Sequence, residues 1–475
     1  MGKVFAIRAT WVVSLLTLAL TAAILAQVLR SLESEAGQGN IPTALTALAV
    51  IFLVFGIAGL IKRIDLSLHA AFAWLIGVAS FAFAFVPWAV LTWGDQAQAA
   101  VLYRGLRIPQ GIERFWDLAL VMRSVDCDAW GFNVFVDNNG CLQDAAIYGP
   151  GMLWLQYVPF GLFSFAHVLA LGVAMMVVSS LALVWLARQS TGLGQITLLV
   201  AAIGTPWLLL LERANIDVVL IWVAIIAVII IRRWPSLLTW SIAAGLLWIV
   251  GTWKYYPFAM GIMLIPVLRL RRGWIVFLAY AIASVGYVLA TWSNFKFSMQ
   301  SNSNMTEVGD YVVLGRVPIV SRMFGSVFPS QGIQLGDALV FLLALCAVLW
   351  GVFIAVQFMR RLEIPAVHES MLGAAGSGLF LASVLVGGFG WAYKAAFLLL
   401  GVPLLSWLVA QKNRQAIFAG VAGLAFTAVC SIVVWNTLLA SLAGIIAASI
   451  VAGLSFSLMC LSVVRQMRTR ATSER

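Results

Sequence analysis

"LHAAFAWLIGVASFAFAFVPWAVLTW", Leu68 to Trp93, contains no Asp, Glu, Lys or Arg. A bilayer crossing needs about 20 consecutive apolar residues. Inside lipid every backbone N–H and C=O must be satisfied within the segment, so such a run has to be a helix. Similar runs recur on both sides of this one. Fourteen helical segments are expected, at 9–30, 42–61, 68–93, 153–187, 194–211, 214–231, 236–252, 255–268, 273–292, 337–359, 370–390, 394–410, 415–435 and 437–464. Hydrophobic residues make up 63% of the chain and charged residues 10%, against roughly half apolar and a quarter charged in soluble domains. The expected fold is all-α, a polytopic transmembrane helical bundle. No strand pattern, Gly-rich phosphate loop or soluble domain is visible.

Charge gives the expected orientation. With the N-terminus inside, the cytoplasmic ends collect 18 of the 29 Lys and Arg but only 4 of the 18 acids. A basic excess marks the cytoplasmic face, and an even number of spans returns the C-terminus to it. The net charge of +11 therefore needs no nucleic acid. Lys3 and Arg8 before the first run look like a signal peptide's basic start, but no small-residue cleavage site follows, so a retained anchor is expected. The start of 153–187, "MLWLQYVPFGLF", is expected in the interface, before the crossing itself. The short segments on either side of "TWKYYP" read as a hairpin or a broken helix.

Three parts are expected: an N-terminal helical pair (1–67), a core (68–410), and a C-terminal helical pair with a basic tail (411–475). Two polar segments, 94–152 and 293–336, remain outside the helices, and loops this long are usually functional. The first holds Cys127 and Cys141 with thirteen residues between them. An oxidising exterior permits a disulfide there; the alternative is two unpaired thiols. The three His are scattered, which argues against a metal centre. Asp126, Asp128, Asp137 and Asp144 read as solvated loop charges or as turn formers of the Cys loop.

Three short motifs place charge against apolar helices, where ionisable groups are costly and mark sites or pathways. "ERANIDVV" brings Glu212, Arg213, Asn215 and Asp217 to a helix junction, where Asn or Asp could equally be capping free N–H groups. "TWKYYP" sets Lys254 beside Tyr255, Tyr256 and the helix-breaking Pro257; a lone Lys there can snorkel to the interface or grip a phosphate. "FGWAYKAAFLL" repeats the design with Tyr393 and Lys394.

These elements, in this order, resemble the GT-C class of integral-membrane glycosyltransferases, and within it the bacterial polyprenol-phosphate-mannose-dependent α-mannosyltransferases and their uncharacterised relatives. The likeness rests on Asp117 followed by Cys127, Gly131, Asn138 or Asn139, Cys141 and "YGPGMLW", then "ERANIDVV", "WKYYPFAM" and "GWAYKAAFLLLGVPLL". It covers residues 70–410. Relatives carry Gly where Ala214 stands, and Arg with an acidic neighbour where "AYK" stands.

The resemblance implies inverting transfer of a hexosyl group, mannosyl in the nearest relatives, from a polyprenyl-phosphate sugar to an extracytoplasmic glycan or glycolipid acceptor. The setting is the bacterial plasma membrane. It implies Asp117 as general base, with Asp95 second. Lys254 and Lys394, with Arg213 and Arg322, would bind the donor phosphate. Glu212, Asn215, Asp217, Tyr148, Tyr256 and Tyr393 would shape the substrate pocket, Asp217 and Glu212 alternatively orienting a base, with Trp116 and Trp130 also able to stack on sugars. No particular cofactor is implied, and a divalent cation is left open. The competing expectation is a secondary transporter or flippase of a lipid-linked or anionic substrate, which would carry internal repeats and midplane charges; neither is visible.

Overall fold

The computed structural model describes residues 68–94, 96–106, 108, 115–135, 140–142, 148–190, 192–297, 313–315, 331–359, 367–386, 389–411, 413–432 and 437–473. The expected segments 9–30 and 42–61 lie outside these residues. What is described is a helical bundle. Among the described residues seven helices are long and apolar enough to cross a membrane, or eight if one bent pair counts as a single span.

The chain enters along α1 (Leu68–Trp93), then forms α2 (Gln96–Gly105) and α3 (Trp116–Ala129) within the segment expected to be loop. Charges scattered through 116–129 hide its helical period from a hydropathy reading. Short 3-10 turns at Pro150–Tyr157, Pro159–Gly161 and Phe165–His167 lead into α4 (Val168–Arg188), so "MLWLQYVPFGLF" does precede the long helix. The expected single helix 194–211 is two, α5 (Leu193–Ala202) and α6 (Thr205–Glu212), bent by 49°. Gly204 and Pro206 explain the break, because Pro lacks the N–H that would continue the ladder. Next come α7 (Asp217–Arg233), α8 (Leu237–Trp253), a 3-10 helix at Tyr256–Arg269 and α9 (Gly273–Ala290).

Strand β1 (Val313–Gly315) pairs antiparallel with β2 (Phe389–Trp391), Leu314 opposite Gly390. This small ribbon was not expected, and it ties the second polar segment to the residues just before Lys394. Helices α10 (Gln331–Met359) and α11 (Val367–Phe380) are followed by a π turn at Leu381–Val386. A 3-10 helix at Ala392–Gly401 continues as α12 (Val402–Val409), and α13 (Arg414–Ile432) and α14 (Thr437–Ser473) close the bundle. Helix α14 runs nine residues past its apolar stretch, because a basic tail can stay helical without being apolar.

Small residues let the helices approach closely. A Cβ on Gly453 would strike the Val348 carbonyl where α14 crosses α10, and one on Gly77 would press on Val184 where α1 meets α4. Large apolar side chains face outward, for example Ile275, Leu278, Ile282, Val285 and Leu289 along α9. A soluble monomer rarely exposes so continuous an apolar surface; lipid covers it without cost.

The two ends of the bundle differ. At one, the His69 ring meets the Arg188 carbonyl at 3.3 Å and Arg232 donates to Gln189 at 3.2 Å. Arg233, Arg271 and Arg272 are exposed at helix ends on that side. The other end carries α3, the 3-10 turns and the junctions α6–α7 and α8–Tyr256.

Candidate functional site

The α6–α7 junction is the foundation. Helix α6 stops at Glu212, and Ala214 takes a left-handed conformation with φ of 44°. Asn215 then turns its side-chain oxygen to the Asp217 N–H at 2.9 Å, and α7 begins. Asn215 thus supplies the turn contact expected of a capping residue, whereas the Asp217 side chain is free for other work.

Helix α3 docks on this junction. Phe115, also left-handed with φ of 52°, buries its ring against Trp88 at 5.6 Å. The Leu118 N–H donates to the Arg213 carbonyl at 3.3 Å. Asp117, in the first turn, is thereby held over the junction. Its Oδ1 accepts from Arg213 at 3.3 Å and its Oδ2 from Asn215 Nδ2 at 2.5 Å.

Lys254 lies where α8 ends in extended backbone ahead of Pro257. Its Nζ donates to Asp217 Oδ1 at 2.7 Å and to Asn215 Oδ1 at 3.3 Å. Lys394, on the 3-10 helix 392–401, reaches the other Asp217 oxygen at 2.5 Å and the Tyr256 hydroxyl at 2.7 Å. The Tyr256 hydroxyl in turn donates to Asp217. Asp217, two lysines, Asn215, Asp117 and Arg213 therefore form one continuous hydrogen-bonded network, with three cations set against two carboxylates.

The "YGPG" stretch covers it. Gly149 N–H donates to the Trp253 carbonyl at 2.7 Å, and Gly151 N–H to the Tyr287 hydroxyl at 2.9 Å. A Cβ on either glycine would collide with Thr252, so the backbone can lie this close only because both are glycine. That contact fixes the Tyr148 ring 4.9 Å from Lys254 Nζ. Burial first, and then the nearby carboxylates of Asp117 and Asp217, hold the Tyr148 hydroxyl well above the ordinary tyrosine range, so it stays neutral.

The far end of α3 is clamped. Cys127 and Cys141 form a disulfide with Cα atoms 5.9 Å apart. Asp126 accepts from the Ser164 hydroxyl at 3.1 Å and the Phe165 N–H at 2.9 Å, and Asp128 from Gln156 at 2.8 Å. These two aspartates are therefore not solvated loop charges; they tie α3 to the 3-10 turns.

Of the expected site residues, Asp117, Arg213, Asn215, Asp217, Lys254, Tyr256 and Lys394 come together, with Tyr148 and Tyr393 beside them and Glu212 buried next to Arg213. Asp95 and Arg322 lie outside the described residues, as do Asp137 and Asp144. Four of these residues are engaged by other protein groups. Arg213 donates to Asp117 Oδ1. Asp217 is 0% exposed and bonded by both lysines. The Tyr256 hydroxyl meets Asp217 and Lys394, and the Lys394 ammonium lies 4.1 Å from its ring centroid. Asn215 faces Asp117 and Lys254. Lys254, Asp117, Arg213 and Lys394 all keep some side-chain exposure, Lys254 the most at 13% and Asp117 next at 11%, whereas Asp217 keeps none.

Sequence reasoning missed Tyr287, whose hydroxyl bridges Gly151 and the Thr252 carbonyl; its place in an apolar helix gave no signal. Among the described residues no three His, Cys, Asp or Glu side chains gather to hold a metal ion. In comparisons with known proteins, no family model, curated protein or solved structure matches the chain.

Proposed function

We propose that this chain is a membrane glycosyltransferase of the GT-C kind, moving a hexosyl group, such as mannosyl, from a polyprenyl-phosphate sugar to a glycan or glycolipid acceptor. The observation that carries the reading is the convergence of Asp117, Lys254 and Lys394 in one network. These residues come from three distant sequence segments, and each type has a task in this chemistry.

The acceptor hydroxyl gives its proton to Asp117 as its oxygen bonds to the anomeric carbon. The bond from that carbon to the phosphate oxygen breaks on the opposite face, inverting the centre. The polyprenyl phosphate leaves with the bonding pair, and its added negative charge is stabilised by Lys254 and Lys394. Each ammonium has three N–H donors and commits two to protein oxygens, so one on each remains for phosphate. The one positive charge in excess favours an anionic ligand.

The basic residues at the opposite end of the bundle support a cytoplasmic assignment for that end. The site then faces the extracytoplasmic side of the plasma membrane, where a disulfide is stable. The apolar exterior gives a lipid tail direct access to the bundle.

A secondary transporter is the second reading, favoured by the broken pair α5–α6 and the π turn at Leu381–Val386, since interrupted helices mark transporter sites. The charges at one end weigh against it. Incubating purified protein with a polyprenyl-phosphate hexose and an acceptor extract separates the two: a glycosylated product of inverted configuration is expected. Uptake of the lipid-linked sugar into vesicles without product would overturn the transferase.

A further inference from the structure

Asn215 touches both halves of the network. Its side-chain oxygen receives two donors, the Asp217 N–H at 2.9 Å and Lys254 Nζ at 3.3 Å. An amide whose oxygen is fixed on one side must present its NH2 on the other, and there stands Asp117 Oδ2 at 2.5 Å. The amide cannot flip, because a flip would set NH2 against an N–H and an ammonium, and C=O against a carboxylate. Asn215 is also 1% exposed, so water cannot take over these contacts.

We propose that Asn215 is a positioning residue: its locked amide holds the Asp117 carboxylate in one orientation and at fixed spacing from Lys254. The proposal rests on the transferase reading for its consequence, though not for its test. Asp117 Oδ1 is already turned toward Arg213. With one oxygen on Arg213 and the other on Asn215, the carboxylate is held at two points and has a lone pair on each oxygen left for an acceptor proton. Lys254 keeps its shorter bond to Asp217 when the amide is removed, so phosphate binding should depend on Asn215 much less than proton abstraction does.

The test uses full-length protein in detergent, with Asn215→Asp, Asn215→Ala and the exchange Asp117→Asn/Asn215→Asp. In Asn215→Asp two carboxylates face each other across the present 2.5 Å contact, and at that range one must take a proton. Arg213, Glu212, Tyr148, Tyr393 and Lys394 also face Asp117 and are unchanged in all variants. Infrared difference spectra should show a protonated carboxyl at neutral pH in Asn215→Asp that disappears in the exchange variant, where an amide again meets a carboxylate. This readout needs neither donor nor acceptor, so it fails or succeeds independently of the transferase reading. In transfer assays Asn215→Ala should lower kcat by about 100-fold, the scale set by a misplaced catalytic group, with the donor KM changed severalfold at most. No new carboxyl signal in Asn215→Asp, or an Asn215→Ala variant that loses thermal stability while keeping wild-type kcat, would overturn the positioning role.

Discussion

Asp117 and Asp217 are both buried carboxylates in the first turn of a helix, yet their surroundings differ in kind. Asp217 is enclosed, with a lysine on each oxygen and the Tyr256 hydroxyl as a third donor. Among the described residues Asp117 is met by Arg213 and Asn215, and it keeps part of its surface open. Ion pairs taken out of water survive only where every partner is satisfied, so Asp217 is built for support. A proton acceptor must instead keep a lone pair open to substrate, and that is the role proposed for Asp117. The difference teaches that residue type and burial leave two buried acids alike, and that the count and direction of their donors tell them apart.

The largest effect that could break this contrast lies at Asp217. Asp217→Asn leaves two buried ammonium groups without their carboxylate and should cost about 3–5 kcal/mol, read as a lowered thermal unfolding midpoint in detergent. Wild-type stability would mean that the lysines find other partners and that Asp217 is dispensable. A smaller effect belongs to Lys254, the most exposed of the network's charged side chains. Lys254→Ala removes one charge-assisted hydrogen bond, worth about 1.5–3 kcal/mol, and the apparent KM for a polyprenyl-phosphate sugar should rise tenfold or more. An unchanged KM would leave Lys254 as a buttress for Asp217 only. The smallest effect is expected at Ala214, whose φ of 44° disfavours a Cβ. Ala214→Gly should raise stability by about 1 kcal/mol without altering transfer; a loss of stability would mean that the methyl's packing outweighs the backbone strain.

The helical bundle was legible because apolar runs such as Leu68–Trp93 admit one solution in lipid. The chemistry-bearing motifs were legible because charges beside such runs stand out: "ERANIDVV", "WKYYP" and "AYK" each supplied residues to the network. Pairing was not legible. Nothing local in "ERANIDVV" says that Arg213 turns to Asp117 while Asp217 takes two lysines from positions 37 and 177 residues away, since that choice is made by the packing of α3, α8 and the 3-10 helix 392–401. Helix α3 was hidden by its own charges, which read as loop until the structure gave Asp126 and Asp128 their partners. The break at Gly204–Pro206 did carry a local signal, which the surrounding apolar run masked.

The central claim is that Asp117 accepts a proton from the acceptor. The direct measurement is transfer by purified Asp117→Asn with polyprenyl-phosphate sugar and acceptor, alongside its thermal unfolding. Asn is nearly isosteric and still accepts from Arg213, but its NH2 then meets the Asn215 NH2, so a modest loss of stability is expected beside a rate that falls about 10²–10⁴-fold, the range for loss of a general base. Undiminished product formation by a folded Asp117→Asn protein would contradict the account.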